Sequence, residues 1–181
     1  MEDIVNEPGT PMVVSQQNPR RKDVVSPEII ALRAENCIKN HVVAAMGIGL
    51  IPSGLVDVVG ITAIEVKLIR DLAPIYNFPV PKTLVAYKIL ISLIGSVGVV
   101  YFSTRMHSAL KGVPLVGHAV YVGLLSITGG AAVYAVGKIF QEHYTSGGTF
   151  LSKDNRYIRN YFKEKYAEGK QVVKGYSKSA A

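Results

Sequence analysis

The chain has 181 residues, 49% of them hydrophobic and 18% charged, with 20 Lys and Arg against 13 Asp and Glu, a net charge of +7 and a mean hydropathy of +0.25. This combination is unusual for a soluble protein and predicts that charged and apolar residues are segregated, as in a membrane protein with water-exposed ends. The lone cysteine, Cys37, excludes an internal disulfide and a cysteine-rich metal site, and no nucleic-acid-binding motif is found.

The first segment, residues 1–25, carries Pro, Gln, Asn and Gly without periodicity and is predicted to be a flexible arm. It lacks a basic start followed by an apolar run, so we expect no secretory signal peptide. A helix is predicted to begin at Ser26-Pro27-Glu28, because Ser is a favoured N-cap and Pro is favoured at the first helical position. Its apolar residues recur at helical spacing as far as Ile51: Ile30, Ala34, Cys37, Ile38 and Val42.

The helix is predicted to break at Pro52-Ser53-Gly54, and a second helix to restart at Gly54 and end in a turn near 77–82. Its inner face is predicted to carry Ile61, Ile64, Leu68 and Leu72. Lys67 and Asp71 are spaced to form an i,i+4 pair, and Glu65 is expected on a solvated face. The apolar run 42–51 reaches only about 15 Å, half a bilayer at most. The pattern therefore predicts a hairpin with Pro52 and Gly54 at its tip.

Asp57 is an acid in the otherwise apolar stretch 47–60. With Gly54 as N-cap it is the third helical residue, where a carboxylate can accept from unpaired N–H groups and favour the positive helix end. We interpret it first as a capping or internally paired residue. Ion or proton binding within the membrane and contact with a partner are the alternatives. Lys88 and Arg105 are candidate internal counter-charges.

Two longer helices are predicted to span or nearly span the bilayer. The first covers residues 84–104, about 31 Å, if Lys88 snorkels to the interface or faces a partner inside the bundle. The second covers residues 113–137, which are uncharged and reach about 37 Å. Lys and Arg are denser outside this pair than in the loop between its helices, so both termini are predicted to be cytoplasmic.

The last helix is predicted to follow a flexible turn at 146–150 and to be capped by Asp154. Its aromatic stripe and basic residues suit a membrane surface. The candidate membrane-surface residues are Tyr157, Arg159, Tyr161, Phe162 and Lys163. The alternative is that the stripe packs on the protein's own helices. The predicted divisions are a flexible arm (1–25), a helical membrane domain (26–150), and a basic amphipathic helix and tail (151–181).

Small residues spaced four apart predict close helix packing within one chain or between copies, since lipid supplies no hydrophobic drive for helix association. The pairs are Ala45 with Gly49, Ser92 with Ser96, and Ser126 with Gly130. We favour self-association, because four short helices bury little surface alone. The four His residues are too scattered for a metal site, and no nucleophile–base arrangement is found. We therefore expect no metal, cofactor or enzymatic activity.

Two blocks of the sequence carry a family resemblance. IKNHVVAAMGIGLIPSGLVDVVGITAIEVKLIRDLAPIYN (38–77) and GGAAVYAVGKIFQEHYTSGGTFLS (129–152) resemble the signature blocks of the bacterial domain-of-unknown-function 697 family, which includes YcjF-like inner-membrane proteins. The resemblance covers about residues 27–168. It implies a helical membrane domain, fused to or accompanying a GTP-binding domain. No G-x-x-x-x-G-K-[ST] phosphate loop is present here, so a GTPase would be a separate protein.

These observations predict an all-α membrane protein with a wedge or re-entrant hairpin, two long near-transmembrane helices and a basic amphipathic C-terminal helix. The predicted function is a non-enzymatic, homo-oligomeric scaffold or membrane-remodelling protein of the bacterial inner membrane, acting with a separate GTPase. An oligomeric pore or small ion or proton transporter that uses Asp57 is the alternative. A soluble oligomer that hides its apolar faces between subunits is a third reading.

Overall fold

The computed structural model describes residues 26–50, 54–86, 88–89 and 117–179, with backbone alone for residues 54–58, 117–122 and 125. Four helices form this part of the chain: α1 (Pro27–Ile48), α2 (Gly54–Ile75), α3 (Gly117–Thr145) and α4 (Asn155–Ser179). A 3-10 turn at Phe150–Ser152 joins α3 to α4, and residues 83–86 and 88–89 are also helical. The all-helical prediction is confirmed for the described residues, which contain no strand.

Several predictions lie outside the described residues. They concern the flexible arm at 1–25, the tip residue Pro52, most of the helix predicted for 84–104, and the small pair Ser92 and Ser96.

The first helix begins where the sequence predicts. The Ser26 hydroxyl accepts a hydrogen bond from the Ile29 N–H at 3.4 Å, and Pro27 is the first helical residue. The predicted inner face is buried, with Ala34, Ile38, Val42 and Ala45 almost completely removed from solvent. The amphipathic pattern therefore directs α1 onto the rest of the bundle.

The second helix also begins at the predicted residue, Gly54, and ends just before the predicted turn. Asn77 adopts a left-handed φ of 57°, which Asn tolerates better than most residues. The Phe78 N–H then donates to the Ala73 carbonyl at 2.9 Å. This reversal directs the Phe78 ring onto Tyr144 of α3, with ring centroids 5.1 Å apart.

The third helix is the centre of the bundle and contacts each of the other three helices. It continues eight residues beyond the predicted end at 137, and nine of its twelve residues from 126 to 137 are buried. No helix in the described part of the chain combines the length and the apolar character needed to cross a membrane. A helix that is apolar on all sides is enclosed by lipid or by protein, and between residues 126 and 137 α1, α2 and α4 cover most of the surface of α3.

Contacts at glycines fix the direction of the helices around α3. A methyl group at Gly137 would lie 2.9 Å from Ile38 and 3.2 Å from Leu68, and one at Gly129 would lie 2.7 Å from Ile61. The Gly129 position also faces the Ala45 carbonyl, at 3.9 Å. From 129 to 137 of α3 the contacts therefore run from 45 back to 38 along α1 and from 61 on to 68 along α2, so α1 is antiparallel to α3 and α2 is parallel to it. The backbones approach closely because these positions lack a side chain.

The fourth helix returns along α3. Gly147 and Gly148 have positive φ values of 68° and 86° and form the predicted turn. Asp154 then caps α4, as predicted, by accepting from the Arg156 N–H at 2.6 Å. Further along, the Gly169 position would place a methyl group 3.0 Å from the Ala131 carbonyl oxygen, so α4 and α3 pack with their backbones close together.

Candidate functional site

One end of the bundle exposes large apolar side chains. It is formed by the end of α1, the beginning of α2 and the N-terminal half of α3, and we call it the apolar end. Its exposed side chains are Leu50, Val59 and Leu124, which are 57%, 64% and 45% exposed. From residue 40 to residue 66 the sequence has no Lys or Arg, and from 112 to 137 it has no charged residue. The apolar end is therefore the part of the described bundle with the lowest charge density.

Most charged residues lie on the sides and at the opposite end of the bundle, whereas Lys174 and Lys178 lie near the C-terminal end of α4. Lys67 and Asp71 form the predicted i,i+4 ion pair on α2. Lys138 of α3 forms an ion pair with Glu35 of α1, and Gln141 donates to the same carboxylate at 3.2 Å. The opposite end also exposes large apolar side chains, including Ile29 and Leu32 at the start of α1, so the two ends differ in their charge and not in apolar exposure alone.

The small residues that are described lie in contacts within one chain. Ala45 is buried and its carbonyl faces Gly129, while the Ser126 hydroxyl donates to the Met46 carbonyl at 3.0 Å. A methyl group at Gly130 would lie 2.9 Å from Val173 and 3.0 Å from Met46. Gly49 ends α1 and is buried as well. These residues bring α1, α3 and α4 of the same molecule together.

Glu65 corrects one sequence expectation. Its neighbour Lys67 is exposed, as expected for a solvated face, but Glu65 is only 1% exposed. It shares the inner stripe of α2 with Ile61 and Leu68, which contact α3, and no described residue forms an ion pair with it. Burial raises the pKa of the Glu65 carboxyl to about 8, so at neutral pH it is predominantly protonated. The burial of Glu65 could have been predicted from its spacing, because Ile61, Glu65 and Leu68 stand at i, i+4 and i+7 on the face predicted to point inward.

A polar cluster joins α1 to α2, and sequence reasoning missed it. The His41 Nε2 lies 3.3 Å from the Asp71 carboxylate, and its Nδ1 lies 2.9 Å from the Cys37 carbonyl and 3.9 Å from the Cys37 sulfur. The cluster brings together a thiol, an imidazole and a carboxylate. However, burial and the charge of Asp71 raise the pKa of the Cys37 thiol, which opposes a nucleophilic role.

The predicted membrane-surface residues lie in the first half of α4. Tyr157 and Tyr161 pack edge to face on Phe150, with centroids 5.9 Å and 5.0 Å away, and Phe162 stacks on Tyr166 at 6.0 Å. Lys163 is exposed. The Arg159 Nε is buried and has no hydrogen-bond partner among the described residues. Part of the aromatic stripe therefore packs on the protein itself.

The remaining site residues are divided between described and undescribed positions. Gly54 is the first residue of α2 and not its N-cap, so Asp57 is the fourth helical residue where the third was predicted; the Asp57 side chain lies outside what the structure describes. Lys88, predicted as an internal polar residue, is exposed. Within the described residues, no group of three His, Cys, Asp or Glu side chains is arranged to hold a metal ion.

The fold and the site define a helical-bundle protein with a central apolar helix and one apolar end. The chain belongs to the family described as "Domain of unknown function (DUF697)", whose model matches residues 25–171. This confirms the family resemblance found in the sequence. The match includes all of α1, α2 and α3 and extends into α4 as far as residue 171.

A relative supports the family assignment. The chain is 33% identical over 145 residues to a protein from Magnetospirillum gryphiswaldense described as "Magnetosome membrane protein 22". The alignment covers 78% of this chain and 73% of the relative. No solved structure matches the chain.

Proposed function

We propose that this protein is a non-enzymatic membrane scaffold whose apolar end enters the bilayer. The observation that carries the proposal is the exposure of Leu50, Val59 and Leu124 at the end of the bundle where the sequence has no Lys or Arg. Exposed apolar side chains gain about 1.5–3 kcal/mol each on full transfer to an apolar phase. The relative described as a membrane protein supports the same placement.

The proposal includes the hairpin tip at Pro52 and the apolar sequence from 89 to 104, which has no charged residue. The described helix at 83–86 and 88–89 leads into that sequence. In this arrangement the tip is a shallow wedge, the segment from 84 to 104 is the deeper anchor, and the ion-paired sides of the bundle stay in water. Both termini lie in the cytoplasm of a bacterial cell, as the distribution of Lys and Arg favours.

Vesicle binding by surface variants tests the apolar end. Leu50→Glu and Val59→Glu are expected to weaken binding of the full chain to lipid vesicles about tenfold each or more, because each removes an inserted apolar group and adds a charge. Leu32→Glu is the matched control, since Leu32 is 62% exposed but lies near the opposite end of α1. Equal effects of Leu50→Glu and Leu32→Glu would contradict the proposal, as would release of the wild-type protein by carbonate.

Self-association and a separate GTPase complete the proposal. The sequence resemblance supports the GTPase, and the exposed apolar residues of α1, such as Ile29 and Val43, supply area for a second copy. Sedimentation equilibrium in detergent measures the subunit number, and a monomer at all concentrations would remove the oligomer. Co-elution with a purified family-associated GTPase, compared with GTP and with GDP, tests the partner. Absence of a complex with both GTP and GDP would contradict the GTPase partnership.

The location is tested with Cys37, which is the single cysteine and is partly exposed. A membrane-impermeant maleimide is expected to label it in opened cells but not in intact cells. Labelling of intact cells would place α1 on the outer side and contradict the cytoplasmic placement.

A further inference from the structure

The C-terminal end of α4 reaches the same level as the apolar end. Val173 of α4 and Met46 of α1 both contact the position of Gly130 in α3. Beyond this common level, Leu50 follows Met46 by four residues, Lys178 follows Val173 by five, and Leu124 precedes Gly130 by six, all in the direction of the apolar end.

This part of α4 carries only positive charge. Lys174 and Lys178 are exposed and lie four residues apart on one face of the helix. From Gly169 to Ala181 the sequence contains three Lys and no Asp or Glu.

We propose that Lys174 and Lys178 form a basic rim beside the apolar end and bind the headgroups of anionic phospholipids. This rests on the proposed function and deepens it by specifying the lipid. Apolar groups that enter a bilayer place neighbouring residues at headgroup depth, where a Lys gains about 1 kcal/mol from an anionic surface. It also places the lipid contact at the C-terminal end of α4, away from Lys163 and the Tyr157–Phe150 contact near its start.

The alternative explanation is structural, because Lys near a helix C-terminus also favours the helix dipole. The two roles differ in what they change. Loss of the dipole interaction lowers helix stability at all lipid compositions, whereas loss of the rim lowers only binding to anionic vesicles.

The test compares two charge-matched variants of the full chain. Lys174→Gln/Lys178→Gln removes two charges beside the apolar end, and Arg156→Gln/Lys163→Gln removes two from the first half of α4, where both side chains are exposed. Binding is measured by co-sedimentation with vesicles of phosphatidylcholine alone or mixed with phosphatidylglycerol, at low and high salt. Thermal unfolding followed by circular dichroism reports the folding of each variant.

The wild type is expected to bind the mixed vesicles more strongly, and high salt should reduce the difference. The variant at 174 and 178 should lose about 30-fold on mixed vesicles, about fivefold per Lys, and little on neutral ones. The control pair should change binding less than threefold. Equal wild-type binding to both vesicles would overturn the rim but not the apolar end, whereas binding to neither would overturn the proposed function as well. Equal losses in the two variants, or a larger loss in the control pair, would overturn the placement at Lys174 and Lys178.

Discussion

The buried carboxyl of Glu65 makes the stability of the bundle depend on pH. Its folded-state pKa of about 8 lies above the ordinary value of 4.5 because burial disfavours the charged form. The folded state therefore binds the proton more tightly than the unfolded state. The contribution of Glu65 to stability is complete below pH 4.5, falls as the pH rises toward 8, and is constant above that.

The magnitude follows from the same two values. A difference of about 3.5 pH units at about 1.4 kcal/mol per unit corresponds to about 5 kcal/mol between pH 4 and pH 9. Because Glu65 is only 1% exposed, solvent does not screen its carboxyl group in the folded protein. In Glu65→Gln this pH-dependent loss is absent. The variant is therefore expected to exceed the wild type in stability by several kcal/mol at pH 9 and to be similar at pH 4.

The assay is urea unfolding of the full chain in mild detergent, followed by circular dichroism from pH 4 to pH 9. Glu164→Gln is the control, because the Glu164 side chain is 68% exposed and its pairing with Lys165 is worth little. The reasoning would be refuted if Glu65→Gln were less stable than the wild type at pH 9. That result would mean that Glu65 is ionised and paired with a cation in the folded protein.

Three further predictions concern packing, a hydrogen bond and the thiol. Gly169→Ala should lower the free energy of unfolding by about 1–3 kcal/mol, because the added methyl group would lie 3.0 Å from the Ala131 carbonyl oxygen. Gly175→Ala is the control and should raise the free energy of unfolding by up to about 1 kcal/mol, because its methyl group would lie in open space. Equal effects of the two variants in urea unfolding would contradict this prediction. Tyr144→Phe should cost about 1 kcal/mol and lower the melting temperature, since the Tyr144 hydroxyl donates to the buried Ile69 carbonyl at 3.0 Å. Alkylation of Cys37 by iodoacetamide should be slow at pH 8, because burial and the Asp71 charge raise the pKa of the thiol. Alkylation should be faster in Asp71→Asn, which removes that charge. A slower rate in this variant would show that the carboxylate does not act on the thiol.

The hairpin was predictable because its boundaries depend on neighbouring residues. Ser26 and Pro27 start α1 through an N-cap and a fixed φ, and α2 begins at the predicted Gly54. The end of α1 was predicted at Ile51, but the helix ends at Ile48 with Gly49 as its C-cap. The Gly147 and Gly148 turn and the Asp154 cap follow the same local rules. The heptad-like apolar spacing then identifies the buried faces of α1 and α2.

The surroundings of the apolar residues were not predictable from the same patterns. The residues from 126 to 137 are uncharged because α1, α2 and α4 enclose them, yet an uncharged run of this length is equally what a bilayer span requires. The small residues Ala45, Ser126 and Gly130 suit close packing in either setting, and here they join helices of one chain. Periodicity gives the spacing of apolar residues but does not identify what covers them.

Contacts between distant residues were the other missing information. His41 meets Asp71 because α1 and α2 form a hairpin, and nothing in the spacing of the two residues specifies that contact. Glu65 was placed on a solvated face from its charged neighbours, although its position on the inner stripe with Ile61 and Leu68 was visible in the sequence. An ionisable side chain is normally exposed, but one on the inner face of a helix can be buried in its neutral, protonated form.

The burial of Glu65 determines which control variant suits a test of the transport alternative. If Asp57 lines an ion path, Asp57→Asn should abolish conductance in reconstituted vesicles. Glu65→Gln is unsuitable as its neutral control, because it changes stability by several kcal/mol above pH 8 and so alters the amount of folded protein. Glu164→Gln keeps the folded population constant and is the better control. Conductance lost in both Asp57→Asn and Glu65→Gln but kept in Glu164→Gln would implicate a proton path through two acids. No wild-type conductance would remove the alternative and leave the scaffold.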